Sequence, residues 1–115
     1  ILQANKTAKE LKEKMKCDYI ICLSHLGLNY NSEKVSDVKL AENSSNIDLI
    51  LGGHTHSFLD EPMLVNNLQN QAVAINQVGW AGILLGRLDL YFEKQINKKR
   101  GKTIPVIFST KTIVK

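Results

Sequence analysis

Ile47-Asp48-Leu49-Ile50-Leu51-Gly52-Gly53-His54-Thr55-His56 is the stretch on which the reading of this chain turns. Its first half is a short, nearly continuous apolar run, the pattern of a parallel strand covered on both faces. The run stops at two glycines, and two histidines follow in His-x-His spacing. In extended backbone, residues i and i+2 project to the same side. His54 and His56 are therefore expected to reach one point, with Gly52 and Gly53 letting the backbone turn without a Cβ clash.

Upstream lies a second run of the same kind, Cys17-Asp18-Tyr19-Ile20-Ile21-Cys22-Leu23, ending in Ser24-His25-Leu26-Gly27. A helical pattern precedes each run. Thr7-Ala8-Lys9-Glu10 has the form of a capping box, and Ala8, Leu11 and Met15 recur at helical spacing, which predicts a helix ending near Lys16. After a polar loop over residues 29–35, Ser36 is suited to cap a second short helix with Val38 and Ala41 on its inner side, fading in Asn43-Ser44-Ser45-Asn46. Helix–strand–helix–strand at this spacing indicates parallel α/β structure. The strands at 19–23 and 47–51 are expected to be parallel neighbours with their C-terminal ends side by side, about 5 Å apart. His25, His54 and His56 would then converge on one polar pocket.

Beyond Pro62 the texture changes. Residues 63–65, 72–76, 83–92 and 104–109 are short β-type runs without intervening helices, punctuated by turns at Asn66-Asn67, Gly79 and residues 97–101. Leu84, Gly86, Leu88, Leu90 and Phe92 alternate with Leu85, Arg87, Asp89 and Tyr91, one set per face. The fold class is α/β: a parallel βαβ half followed by antiparallel strands, with no internal repeat or domain boundary. Gly79, Gly82 and Gly86 permit a turn and a bulge or, equally, a close backbone approach to a pocket. Trp80 is read as either a pocket wall or core, with core the expected fate of its residue type.

Composition narrows the function classes. The 115 residues are 43% hydrophobic and 23% charged, which suits one globular unit with a modest core. No apolar stretch is long enough to span a bilayer. The formal charge of +4 comes from lysines near the two ends, among them Lys6, Lys9, Lys12, Lys14 and Lys16, interspersed with Glu10 and Glu13. Without interleaved aromatic residues these read as solvated faces rather than a nucleic-acid patch. Cys17 and Cys22 fall on one predicted strand, roughly 16 Å apart, too far for a disulfide. They are read as small buried hydrophobes.

The chemistry sits with the histidines. There are three, and each follows an apolar run, at the strand end where open α/β sheets place their ligands. Imidazole nitrogens suit zinc, iron, manganese, nickel or copper. Three neutral ligands do not by themselves make a hydrolytic site, since two divalent ions about 3.5–4 Å apart need bridging and terminal anionic groups. Of the nearby acids, Asp37 begins a helix, where stabilising the N-terminus accounts for it. Asp60 and Glu61 precede Pro62 and read as solvated turn residues.

The order strand–Ser24-His25-Leu26-Gly27, Asp37-x-x-Leu40-Ala41, Gly52-Gly53-His54-Thr55-His56 and the Gln77-Val78-Gly79-Trp80 segment running on to Leu90 resembles the second half of the catalytic domain of the 5′-nucleotidase family, within the calcineurin-like metallophosphoesterases. The resemblance covers residues 17–92. It implies a partial four-layer α/β/β/α fold, with residues 1–115 as the C-terminal portion of a metallophosphoesterase catalytic domain whose N-terminal half is absent. It implies two divalent ions (zinc, manganese, iron or similar) in the intact enzyme, with His25 and His54 on the second and His56 on the first. The substrate would be a nucleotide or another phosphate ester, and the location periplasmic or cell-surface. Asp-x-His, Gly-Asp and Asn-His motifs do not occur in this sequence, so the bridging aspartate and the histidine that assists the leaving group are expected upstream. The chain alone is expected to be inactive, with an open sheet edge where upstream strands would pair. The alternative is a non-catalytic module of this fold that binds a partner or a single metal.

Overall fold

A computed structural model describes residues 1–92 and the backbone of residues 106–113. The elements run α1 (Leu2–Glu13), β1 (Ile21–Leu23), α2 (Asp37–Glu42), β2 (Leu49–Leu51), β3 (Met63–Asn66), β4 (Ala72–Asn76), β5 (Leu84–Tyr91) and β6 (Val106–Ile113). The expected helix near the chain start exists, but it begins at Leu2, five residues before the Thr7 that looked like its cap. Ile1 holds the N-cap position without a side-chain bond. Thr7 lies inside the helix, where tertiary packing of Ala8 with Ala4 and Leu11 fixes the face that is buried. Met15 leaves that face because the helix stops at Glu13, and it stays exposed. The lysine face is solvated, with Lys9–Glu13 and Lys14–Glu10 paired one turn apart at 4.0 and 3.3 Å. The expected turn over residues 97–101 lies outside the described residues.

β1 and β2 are parallel neighbours, with Ile21 opposite Leu49 and Leu23 opposite Leu51. The strand order is β1-β2-β4-β3, so β4 continues the parallel ladder beside β2, and only β3 runs antiparallel to it. The first antiparallel strand thus follows Pro62, where the sequence texture changes, while β4 returns to the parallel direction. A two-strand antiparallel ribbon, β5 and β6, forms the second sheet.

The two faces of the first sheet differ. Cys22, Ile50, Val73 and Ile75 face the helices and join Ala8, Leu40 and Ala41 in the main core. The opposite face carries Ile21, Leu49, Leu51 and Asn76 and looks across a groove of about 410 Å³ at Leu84, Gly86, Leu88 and Leu90 of β5. The alternation expected in β5 is thus present, its inner set turned toward the first sheet. Coverage on both faces fails at β1, where Ile21 is 47% and Leu23 80% exposed. β1 is the edge strand, and among the described residues nothing pairs with its outer side. Both cysteines are free and half-buried against the main core; only Cys22 lies on β1, and Cys17 precedes it.

Tyr19 enters β1 with its hydroxyl buried and without a partner among the described residues, its ring edge-on to Phe92 at 6.1 Å. Burial first, and the Asp48 carboxylate second, push its phenol up to about 12. The unfolded chain gives up this proton near 10.0, so the contribution of Tyr19 to stability is complete below that pH and is lost as pH rises from there toward 12. An alkaline absorbance titration is expected to contain a late phase that Tyr19→Phe removes, and the same substitution is expected to flatten the alkaline loss of stability. A titration curve that keeps its late phase in Tyr19→Phe would contradict this.

Candidate metal centre

The parallel strands β1, β2 and β4 all end at the same side of the sheet, and the loops leaving them meet there. The chain runs from β1 into Ser24-His25, from β2 into Gly52 to His56, and from β4 into Gln77. Backbone bonds tie these exits together: Ser24 N–H donates to the Leu51 carbonyl (2.9 Å) and Gly52 N–H to the Asn76 carbonyl (2.9 Å).

His25 and His54 come together, ring centroids 5.2 Å apart and edge-on at 73°. His56 points elsewhere and stacks on Trp80, centroids 6.0 Å apart and nearly parallel at 16°. The reason is local backbone. His54 and His56 both sit in the left-handed region, φ 76° and 54°, so the two do not share a side as extended residues would. A left-handed conformation costs a residue with a Cβ roughly 1–2 kcal/mol, and such strain collects at ligand sites. All three rings are exposed. None of their nitrogens has a hydrogen-bond partner among the described residues.

The glycines serve a different purpose from the one their position suggested. Gly52 and Gly53 do not have positive φ. A Cβ on Gly52 would collide with the Asp37 carboxylate and the Gln77 amide, and one on Gly53 would press on the His25 ring at 3.1 Å. They are there for close approach. The turn residues Gly79 and Gly82 do have positive φ, and a side chain at Gly79 would strike the Phe58 ring. Trp80 is 56% exposed and so belongs to the rim of this site, not to the core.

Asp37 is the largest surprise. It is fully buried, and its role exceeds that of a helix-start charge. Ser36 does cap α2, accepting from Lys39 N–H at 3.2 Å. Asp37 instead turns inward. One carboxylate oxygen accepts from the Ser24 hydroxyl and the other from Gln77 Nε2 (2.8 Å). Gln77 also donates to the Gly53 carbonyl (3.1 Å), while its Oε1 accepts from the Thr55 hydroxyl and the Ser57 N–H, each at 3.3 Å. Asp60 and Glu61 are exposed in the loop before β3.

What the arrangement offers a cation is a pair of adjacent, unbonded imidazoles and a third nearby in the chain, all at one sheet end. Neutral imidazole fits zinc, manganese or iron, and among the described residues nothing competes for the ring nitrogens. The histidines therefore fit part of a metal site. Among the described residues, no group of three or more His, Cys, Asp and Glu side chains is close enough to complete one.

Comparison with known proteins places this geometry in context. A family model described as calcineurin-like phosphoesterase matches residues 2–58. The chain is 36% identical over 107 residues to the trifunctional nucleotide phosphoesterase protein YfkN of Bacillus subtilis, covering 90% of this chain and 7% of that protein. It is 31% identical over 121 residues to an apyrase of Tabanus yao, covering 92% of this chain and 21% of that one. The fold is similar to that of the 5′-nucleotidase precursor from Thermus thermophilus, with a TM-score of 0.69 at 22% identity, over 96% of this chain and 22% of that chain. The sequence in hand thus spans less than a quarter of the length of each.

Proposed function

We propose that this chain, matched over residues 2–58 by a family model of the metal-dependent calcineurin-like phosphoesterases, supplies part of a dinuclear metal centre for the hydrolysis of phosphate monoesters. The activity would be that of a 5′-nucleotidase or a related nucleotide phosphatase. The observation that carries this reading is the meeting of the His25 and His54 rings, 5.2 Å apart, at the common end of β1 and β2. His25 and His54 would hold one ion and His56 the other. Divalent ions in such a site polarise the phosphoryl oxygens and stabilise the charge that builds on them.

The chain's own residues do the positioning. Asp37 and Gln77 tie the strand exits together, and Trp80 covers one face of the His56 ring and limits its rotation. The bridging carboxylate and the group that assists the leaving oxygen belong to sequence other than these 115 residues. A nucleotide substrate is favoured by relatives whose names include nucleotide phosphoesterase and apyrase. A periplasmic or cell-surface location is proposed on the family resemblance alone, and no helix among the described residues is long and apolar enough to cross a membrane.

The test is metal dependence. The full-length protein is expected to release phosphate from a nucleoside 5′-monophosphate, to lose that activity on treatment with a chelator, and to regain it with manganese or zinc. Turnover that survives exhaustive chelation would overturn the proposal.

A further inference from the structure

We infer that Asp37 and Gln77 are positioning residues for the histidines, acting through hydrogen-bond geometry rather than through the charge of the carboxylate; this rests on the reading of the histidines as metal ligands. Every histidine of the site is flanked in sequence by members of one polar network centred on the buried Asp37 and Gln77. Ser24 precedes His25, Gly53 and Thr55 bracket His54, and Thr55 and Ser57 bracket His56. Each of these flanking residues bonds to Asp37 or Gln77: Ser24 to Asp37, and Gly53, Thr55 and Ser57 to Gln77. The network thus alternates with the ligands along the chain, half-buried groups holding the backbone and exposed rings projecting between them.

The two central side chains have no other occupation. Asp37 is 0% and Gln77 2% exposed, so neither is a surface group that water could satisfy. The Gln77 amide is used at both ends, with two donor bonds from Nε2 and two acceptor bonds to Oε1. Reversing that amide would set donor against donor at Ser57 N–H, so its orientation is fixed by the loop it holds. The Thr55 hydroxyl extends the network to the Leu28 N–H at 2.9 Å, in the loop that follows His25. The missing Cβ at Gly52 is what lets the Asp37 carboxylate reach this position between the strands. His54 and His56 remain left-handed because their neighbours on both sides are pinned.

Partners that orient metal ligands from behind typically change metal affinity by about 10–100-fold when removed. The full-length protein is therefore tested for Mn²⁺ affinity by equilibrium dialysis, beside thermal melting of the metal-free form. Gln77→Met, which keeps the volume and removes all four bonds, is expected to weaken Mn²⁺ binding about 10-fold or more. Asp37→Asn can keep an oxygen toward Gln77 and turn its amide toward Ser24, whose hydroxyl rotates to accept. It is expected to bind within about threefold of the parent, whereas Asp37→Ala falls with Gln77→Met. Thr55→Val, an isosteric change, serves if the larger replacements prevent folding, and it should also weaken Mn²⁺ binding.

His54→Ala separates the two readings. If it leaves Mn²⁺ affinity intact, the histidines are not ligands, and the positioning role falls with them. If it abolishes binding while folded Gln77→Met and Thr55→Val bind as the parent does, the metal site stands and the positioning role is overturned. Asp37→Asn as weak as Asp37→Ala would overturn the geometric account in favour of charge.

Discussion

Replacing His54 or His56 with alanine in the full-length protein is expected to abolish phosphate-ester hydrolysis, a fall in kcat of at least about a hundredfold, comparable to losing one strong transition-state contact. The metal-free fold should change in stability by no more than about 1 kcal/mol. The asymmetry follows from the structure. Both rings are exposed and make no hydrogen bond, so truncation leaves no cavity and no stranded donor. Alanine, like histidine, carries a Cβ, so the backbone strain at 54 and 56 is carried over rather than relieved. His56 gives up its stack on Trp80, a contact already open to water. Steady-state kinetics at saturating manganese, together with chelated thermal melts, decide the matter. A variant with near-normal turnover would remove its histidine from the metal site.

The second large effect concerns the 115 residues taken alone. They are expected not to hydrolyse an aryl phosphate above the uncatalysed rate, with manganese or zinc present in excess. The described residues bring together two imidazoles and offer a third, but no carboxylate joins them. Asp37, the acid nearest in the network, has both oxygens committed to Ser24 and Gln77 and is sealed from solvent. Two cations held close together without an anionic bridge repel each other, and each missing group removes several kcal/mol of transition-state stabilisation. Turnover by the purified 115-residue chain, abolished by His25→Ala, would show that it contains a complete site.

Much of this was legible in the sequence because the signals were strong and local. Apolar runs ending in histidine motifs, each after a helix, led directly to parallel β1 and β2 with His25 and His54 at one end. The Ser36 cap and the alternation along β5 were also readable from neighbouring residues. What failed depended on contacts distant in sequence. Thr7 carries a capping pattern, yet packing of Ala4, Ala8 and Leu11 starts the helix five residues earlier. Asp37 looked like an ordinary helix-start acid, since its partners Ser24 and Gln77 lie 13 and 40 residues away. The one hint was Gly52, a glycine without positive φ, whose absent side chain marks something packed against it. Trp80 departed from the usual fate of its residue type for a similar reason: an exposed turn holds it over His56.

The left-handed backbone at His54 and His56 sets stability against function in a way that selection would expose. Glycine adopts positive φ at little steric cost, and asparagine tolerates it better than most residues. A population screened only for heat resistance would therefore be drawn toward glycine or asparagine at these two positions, shedding the imidazoles as it hardened. One screened for turnover would keep both histidines and accept the softer loop. The Gly-Gly-His-Thr-His segment is thus a place where the most durable version of this chain and the working one are different sequences.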